Sequence, residues 1–429
     1  MKFIELKNVI RIIWLILSIL LLTVLSSCSG KNDQFSIWIG GSPQEVDFWQ
    51  KVVNDFNEET HSNLILVRQP TYTDQRKQGL IISLEGRQTN PDLFLMDVVW
   101  ISQFIQSGWL ESLNSYADKT KFDTSPFFNR VLNLVDKFEG KLYALPVFMD
   151  VALLYYRTDL IDKPPETWEQ LKNLSIRIQK QERINNKNFN SFVWEGAQYE
   201  GLVCSFLEFI ASNGGAILQN DSIKIDSEQN KIALQFMQDL IHKYKISPEN
   251  TYTEMKEEEV RREFQKGNAL FERNWTYAWK LHNSDDSNVK GKVGMTILPH
   301  FNGHKSVSTL GGWHIGISKY SDRKEKAWRF IQYVSSYKVQ KEMVLDIGWN
   351  PGRKDVYTDE ELNRKLPHLK TLEYVFDNTV ARPTVPYYSS ISEVIQRNVN
   401  NCLANKISPK DALKEMKKGI KEIIKIYGE

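Results

Sequence analysis

Cysteine is scarce in this chain, with three among 429 residues, at positions 28, 204 and 402. So few cysteines exclude a disulfide-dense scaffold. Cys204 and Cys402 could pair in an oxidising compartment, but their wide separation favours two buried free thiols. The size of the chain is enough for two domains with a large core.

Several nucleotide and hydrolase motifs are absent. The sequence has no GxGxxG, GxxxxGK[ST], GxSxG or HExxH, so nucleotide binding, serine hydrolysis at a nucleophile elbow and zinc proteolysis lack their usual support. The segment HFNGH offers His300 and His304 as two metal ligands. Because a glycine separates them and no third ligand lies nearby in sequence, solvated histidines are favoured over a metal site. No cofactor or metal is therefore expected.

Long apolar runs are missing except near the N-terminus. Lys2, Lys7 and Arg11 precede the apolar stretch 12–25, and the sequence LSSC follows at 25–28. The stretch is shorter than the roughly 20 residues of a membrane-spanning helix, so residues 1–27 are predicted to be a cleaved signal peptide. An uncleaved anchor is the alternative.

Charge of either sign is not in excess. Removing residues 1–27 takes away three basic residues and one acidic residue and leaves 52 of each. No field for binding nucleic acid is implied.

Apolar strands alternate with amphipathic helices from Phe35 onward, with helices predicted at about 45–59, 73–88, 168 onward, 199–212, 228–245 and 254–266. Alternation of this kind predicts βαβ units and a largely parallel sheet, with ligands bound beyond the carboxyl ends of the strands. Glu45, Arg76 and Asp97 all fall near such ends.

The aromatic residues indicate a carbohydrate cleft. Trp275, Tyr277 and Trp313 stand beside polar residues or glycines, whereas a core tryptophan usually has apolar neighbours; ordinary core packing is the alternative. A sugar ring combines an apolar face that stacks on an indole with hydroxyls that need carboxylate acceptors. Asp97 and Asp150 follow apolar strands and could be such acceptors, or could be helix caps or turn acceptors.

Seven segments together carry a family resemblance: GGSPQEVDFW, PDLFLMDVVWISQFIQSGWLESL, GKLYALPVFMDVALLYYRTDL, PPETWEQL, ALFERNWTYAW, STLGGWHIGIS and ARPTVPYYSSISEVI. In order from about Phe35 to the C-terminus, the sequence resembles the extracellular solute-binding proteins of carbohydrate ABC importers, most closely trehalose/maltose-binding lipoproteins. The resemblance implies an α/β, two-lobed periplasmic-binding-protein fold of type II, like maltose-binding protein, with a multi-segment hinge and a ligand cleft between the lobes. Lobe I would hold 30–148 and 300–336, and lobe II would hold 149–299 and 337–429.

The same resemblance assigns the ligand site. It implies hydroxyl or charge contacts from Glu45, Arg76, Asp97 and Asp150, stacking platforms at Trp275, Tyr277 and Trp313, and a donor from the second lobe at Arg382. Backbone amides at Gly311 and Gly312 would meet the ligand, and a side chain at either glycine would occupy the space of the sugar. Phe148 stands where the family often has a tyrosine, which predicts that one hydroxyl contact is missing.

The segment LSSC resembles a bacterial lipobox. The resemblance implies acylation of Cys28, a polar tether over 28–34, and anchoring of a monomer at the extracytoplasmic face of a membrane, where an ABC permease would be its partner.

Two other functions remain open at the level of sequence. One is a secreted glycoside hydrolase that uses Asp97 and Asp150 as its carboxylate pair, because such enzymes need two carboxylates at a defined separation. The other is a surface lipoprotein that binds long glucans. The favoured prediction is a binding protein without catalysis.

Overall fold

The computed structural model describes residues 34–219, 222–366, 369–377 and 379–427. Its strands are β1 (Phe35–Gly40), β2 (Leu64–Gln69), β3 (Leu93–Asp97), β4 (Lys137–Phe138), β5 (Lys141–Leu142), β6 (Ala144–Arg157), β7 (Phe192–Val193), β8 (Leu218–Gln219), β9 (Ser222–Ile223), β10 (Phe271–Trp275), β11 (Val293–Thr296), β12 (Ser308–Ile317), β13 (Asn350–Pro351) and β14 (Thr379–Val380). The predicted signal peptide and Cys28 lie outside the described residues.

The helices follow the strands in the order that the sequence predicts. They are α1 (Pro43–Thr60), α2 (Thr73–Glu85), α3 (Ile101–Gln106), α4 (Asn114–Thr120), α5 (Asn129–Val131), α6 (Trp168–Glu182), α7 (Glu200–Ala211), α8 (Glu228–His242), α9 (Glu257–Gln265), α10 (Ala278–His282), α11 (Lys324–Val334), α12 (Tyr337–Asp346), α13 (Glu360–Lys365), α14 (Leu369–Asp377), α15 (Tyr388–Leu403) and α16 (Pro409–Tyr427). Helix α5 continues into a π-turn at Leu132–Asp136, and 3-10 turns occur at Glu249–Tyr252 and Lys354–Thr358.

Helix starts are set by capping residues. Ser42 accepts a hydrogen bond from the backbone of Glu45, whose side chain in turn accepts from the backbone of Ser42, and Pro43 occupies the first turn. Thr167 caps α6 by accepting from the amide of Gln170. These bonds satisfy amides that the first turn of a helix leaves without partners. Helix α6 starts as predicted, and α1 starts two residues before the predicted position 45.

One sheet runs through both halves of the protein, in the strand order β2-β1-β3-β12-β6-β10-β7. Strands β1, β2 and β3 are parallel, but β6 runs antiparallel to β10, β11, β12 and β13. The prediction of a largely parallel sheet is therefore wrong. The βαβ pattern is correct near the N-terminus, where β1, β2 and β3 are parallel. Strands β6 and β12 cross between the halves and form antiparallel pairs.

The described residues form four apolar clusters, and two of these clusters lie on either side of the crossing strands. One is built on Trp49, Phe56, Leu145 and Trp328, and the other on Trp168, Trp194, Phe209 and Ile395. The first core defines lobe I and the second lobe II. Strand β6 contributes Leu145 and Val147 to lobe I and then Ala152 and Leu154 to lobe II. The two-lobed fold is thus confirmed.

The lobe limits differ from the predicted ones at two places. Phe301 packs against Phe236 in the lobe II core, so residues 300–307 belong with lobe II up to the start of β12. Val339, Met343 and Trp349 pack into the lobe I core, so residues 337–349 lie with lobe I. Residues 300–307 lead into β12, and residues 337–349 lead into β13, which pairs with β6. Short stretches of sequence at such places do not indicate which core they join.

Cys204 and Cys402 are both free and buried, as predicted. Among the helices of the described ranges, none combines the length and apolarity needed to cross a membrane.

Candidate functional site

The crossing strand β12 brings the predicted site residues together. Trp313 is paired with Asp97 of β3 on one side and with Phe148 of β6 on the other, and Gly311 is paired with Asp150. The register shifts between Trp313 and His314, which marks a bulge beside the site. A single strand thus aligns residues that are more than 150 positions apart in the sequence.

Arg76 covers one face of Trp313. Its guanidinium carbon lies 4.1 Å from the centroid of the indole, and its Nη1 donates to the carbonyl oxygen of Gly40 at 2.7 Å. Trp100 packs edge-on against the same indole at 5.4 Å between centroids. Burial lowers the pKa of Arg76 to about 10, although Glu45 and Asp97 act in the opposite direction. Trp313 is therefore a half-buried platform with one face already stacked.

Glu45 lies beside Arg76 in the first turn of α1. Its Oε2 accepts from the amide of Ser42 at 2.6 Å. Burial raises the pKa of Glu45; hydrogen bonds from Ser42 and the charge of Arg76 oppose the rise, and the charge of Glu258 in lobe II adds to it. Glu45 of lobe I and Glu258 of lobe II therefore repel each other electrostatically.

Asp150 occupies the point where β6 passes from one lobe to the other. Its Oδ1 accepts from the amide of Thr276 at 3.1 Å, from the Thr276 hydroxyl at 2.6 Å and from the amide of Val151 at 3.0 Å. Burial raises the pKa of Asp150 to about 6, and the three hydrogen bonds limit the rise. All three bonds end at Oδ1, which leaves Oδ2 free to accept from a ligand.

Trp275 and Tyr277 come from lobe II. Trp275 ends β10, and its indole stacks on the guanidinium of Arg273 at 4.4 Å. The hydroxyl of Tyr277 donates to Glu258 at 2.8 Å, and its ring packs against the lobe I core. Tyr277 thus reaches across the cleft, and its hydroxyl is engaged by the protein.

The space beside the two glycines of β12 differs from the predicted one. A Cβ at Gly311 would lie 3.1 Å from the Trp275 ring, and a Cβ at Gly312 would lie 2.7 Å from the carbonyl oxygen of Phe148. Gly312 also has φ +136°, which L-residues rarely adopt. A side chain at either glycine would therefore meet protein atoms and not the space of a sugar, because the glycines make room for Trp275 and for close pairing with β6.

Phe148 also departs from its predicted position. Its ring stacks on Trp349 with centroids 4.1 Å apart and planes 13° apart, and it is 6% exposed. The side chain belongs to the lobe I core. Successive strand residues point to opposite faces, so the pattern of β6 gave no means of deciding which face lines the cleft.

Arg382 forms ion pairs with two carboxylates, those of Glu200 and Asp97. Its Nη1 donates to Glu200 at 2.9 Å, and its Nη2 lies 3.4 Å from Asp97 in lobe I. Glu200 also accepts from the hydroxyls of Tyr388 and Ser392. Arg382 is 4% exposed, so its guanidinium is engaged by protein carboxylates.

Further contacts between the lobes involve residues that the sequence did not single out. Lys77 of α2 donates to Ser389 of α15, and the Ser389 hydroxyl donates to Gln103 at 3.4 Å. Lys256 lies 5.9 Å from the ring of Tyr72 and 5.4 Å from that of Tyr199. Lys256 and Tyr199 both belong to lobe II, whereas the other pairs join the two lobes. Nothing in the local sequence marks the pairs that join the lobes.

Two pockets of different size occur among the described residues. One, of about 50 Å³, lies beside Arg382, Leu310 and Val98, and it is far smaller than the several hundred Å³ usual for ligand sites. The other, of about 300 Å³, lies beside His300, His304 and Lys305, away from the aromatic platforms. Of the candidate site residues described above, Arg382 alone lines the first pocket, and none lines the second. Among the described residues, no group of three or more potential ligands could hold a metal ion.

The comparison with known proteins decides the family. Residues 40–341 match the model of the family described as bacterial extracellular solute-binding protein. The chain belongs to this family. Its members are binding components of transporters, so this solute-binding protein is not an enzyme.

Individual relatives agree with this membership. The chain is 33% identical over 386 residues to a probable ABC transporter-binding protein of Deinococcus radiodurans, covering 87% of this chain and 89% of the relative. It is similar in structure to maltose-bound MalE3 of T. maritima, with a TM-score of 0.84, 37% identity and coverage of 91% and 99%. It is also similar to a solute-binding protein of Thermotoga lettingae TMO bound with α-D-tagatose, with a TM-score of 0.82, 25% identity and coverage of 91% and 100%.

Proposed function

We propose that this solute-binding protein captures a disaccharide or short glucoside resembling trehalose or maltose between its lobes and passes it unaltered to an ABC permease. The observation that carries the proposal is the meeting of two indoles and two carboxylates along β12. Trp313 is paired with Asp97, Gly311 is paired with Asp150, and the Trp275 ring lies against Gly311. In this proposal the four side chains would contact the sugar between the lobes. The relative MalE3 of T. maritima, at 37% identity, was solved with maltose.

Binding of the sugar would be coupled to closure of the lobes. A ligand shifts a protein between open and closed states only by binding them with different affinity, so it must contact both lobes. The proposed contacts satisfy that condition, because Glu45, Arg76 and Trp313 lie on lobe I and Trp275 lies on lobe II. A sugar held between them would stabilise the closed form.

Binding energies of the expected size are available. A micromolar dissociation constant corresponds to about 8 kcal/mol. Two stacked aromatic platforms contribute about 1 kcal/mol each, and charge-assisted hydrogen bonds contribute about 1.5–3 kcal/mol each. Two platforms and four such bonds together give about 8–14 kcal/mol before the cost of association is subtracted.

We further propose that the mature protein is a monomer anchored at the extracytoplasmic face of the membrane through acylated Cys28. Cys28 ends the lipobox-like segment LSSC. Labelled palmitate fed to expressing cells should enter the wild-type protein and not the Cys28→Ala variant. Equal labelling of the two proteins would remove the anchor from the proposal.

A thermal-shift screen against mono-, di- and oligosaccharides tests the choice of ligand. A ligand that binds the folded state raises the unfolding temperature, and the shift grows with its concentration over its dissociation constant. Maltose or trehalose should give the largest shift. Larger shifts with long glucans would favour polymer binding instead, and larger shifts with free monosaccharides would contradict the disaccharide.

A further inference from the structure

A buried ionic network lies behind the indole of Trp275. Arg273 precedes Trp275 by two positions in β10, so both side chains project from the same face of the strand. The Arg273 guanidinium carbon is 4.4 Å from the centroid of the indole. Arg273 is 2% exposed, so its guanidinium is buried in the protein and is not in contact with solvent.

Two glutamates fix the plane of that guanidinium. Glu208 of α7 receives two parallel hydrogen bonds, from Nε at 2.8 Å and from Nη2 at 2.5 Å. Oε1 of Glu195 lies 3.1 Å from Nη1. Both glutamates are as deeply buried as Arg273. A paired arginine fork of this kind has a defined plane as well as a defined position.

The same network reaches the second strand that frames the indole. Oε1 of Glu208 also accepts from the amide of Thr309 in β12 at 3.2 Å. Two positions further along β12 is Gly311, whose missing side chain leaves room for the edge of Trp275. The indole is therefore bounded by Arg273 on one face and by Gly311 at an edge, and Glu208 bonds both strands.

Stability alone is a poor explanation for this network. A buried ion pair can often be replaced by apolar residues of similar size at no loss of stability, because the charges must first leave water. Here a guanidinium and two carboxyl groups, all buried, stand behind the proposed binding platform, and burial raises the pKa of Glu195 to about 8. An orienting role explains why charge is found at this place.

The geometry points to Arg273 as a positioning residue for ligand binding: its guanidinium, held by Glu208 and Glu195, fixes the plane of the Trp275 indole before the ligand arrives. The inference rests on the proposed function, in which Trp275 stacks on the sugar. An indole that is already ordered loses less freedom on binding, and the cost of ordering one side chain corresponds to about threefold to tenfold in affinity. Arg273→Lys keeps the charge and removes the planar fork.

The orientation itself is measured without any ligand. Protein labelled with 5-fluorotryptophan is examined by ¹⁹F NMR, and Trp275→Phe identifies the Trp275 resonance. Arg273→Lys should shift and broaden this resonance while leaving that of Trp328, in the lobe I core, unchanged. An unchanged Trp275 resonance in folded Arg273→Lys would overturn the inference. If Arg273→Lys does not fold, Glu195→Gln, which keeps the bonds between Arg273 and Glu208, is examined for the same shift.

Arg157→Lys is the matched control. Arg157 also forms a two-bond pair, with Asp159 at 2.7 and 2.6 Å, and is 9% exposed, but it does not stack on an indole. Its replacement should lower stability and leave the Trp275 resonance in place.

Affinity for maltose separates positioning from a merely structural role. Arg273→Lys should weaken maltose binding about threefold to tenfold in the wild-type background and have little effect in Trp275→Phe, because the residue acts through the indole. Equal losses in the two backgrounds would contradict positioning. If wild type binds no maltose, the proposed ligand fails, whereas the fluorine resonance still decides whether Arg273 orients Trp275.

Discussion

The guanidinium of Arg76 lies 4.1 Å from the centroid of the Trp313 indole and covers one of its faces. A sugar can therefore stack only on the opposite face, and the arginine becomes part of the platform. Such a contact also adds a cation–π attraction, which is stronger in a desolvated site. Because Arg76 bonds to the carbonyl of Gly40, the loop at the end of β1 helps to hold Trp313.

Trp313→Ala should weaken binding of the cognate sugar more than tenfold, or by more than about 1.4 kcal/mol, because the stacking surface is lost. The variant should also lose stability, since Trp313 packs against Trp100 and two apolar clusters. Calorimetry measures the affinity. Trp109→Ala, also in lobe I and 7% exposed, is the control and should lose stability with its affinity unchanged. Full affinity in Trp313→Ala would remove Trp313 from the site.

Gly311→Ala should mainly lower affinity for the sugar, whereas Gly312→Ala should mainly lower stability. At Gly311 the new methyl group would crowd the Trp275 ring at 3.1 Å, so the indole must shift and affinity should fall several-fold with little change in melting temperature. At Gly312 it would meet a backbone oxygen at 2.7 Å with φ +136°, which should cost about 1–3 kcal/mol of stability or more. Paired calorimetry and thermal unfolding distinguish the two. Loss of stability at Gly311 with intact affinity would contradict the account.

Ser389→Ala should shift the ligand-free protein toward an open form. The substitution removes the hydrogen bonds that join Ser389 of lobe II to Lys77 and Gln103 of lobe I. The radius of gyration from small-angle X-ray scattering should rise without sugar and return to the wild-type value with saturating sugar. Ser390→Ala, at the next position in α15, is the matched control. Equal radii for the two variants would show that Ser389 does not hold the lobes together.

Asp150 should make both stability and binding depend on pH. Its pKa in the folded protein is about 6, above the ordinary value of 3.8. The folded state therefore holds the proton more tightly, so this residue favours folding most below about pH 4, and that contribution is lost as pH rises through about 6. Chemical unfolding between pH 4 and 7 measures the slope, and Asp150→Asn should reduce it.

Sugar binding should have the opposite dependence on pH. A ligand hydroxyl donates best to the ionised carboxylate, so affinity should fall as pH drops below about 6. Titrations of wild type and Asp150→Asn across this range measure the effect, and the variant should show a smaller change. The same pH dependence in both proteins would place its origin elsewhere.

Local features of the sequence were enough to predict much of the fold and part of the site. The start of α6 at Trp168 was predicted, and the position of Asp97 at a strand end follows from the βαβ pattern. Such features depend on neighbours within a few positions.

The remainder depends on partners far apart in the sequence. Phe148 enters the core because Trp349 stacks on it, and Gly311 is small because Trp275 needs its space. Arg382 is engaged by Glu200 from a distant helix. No local pattern shows which face of a strand will be buried, or which distant carboxylate will pair with an arginine. The partners of Arg273 could not be predicted for the same reason.

Titration of the purified protein with maltose and trehalose by calorimetry, followed by chromatography of the recovered sugar, tests the central claim most directly. The account predicts saturable binding of at least one of them, with a dissociation constant of micromolar order, and recovery of the sugar intact. Absence of binding to both, or hydrolysis that disappears in Asp150→Asn, would contradict it.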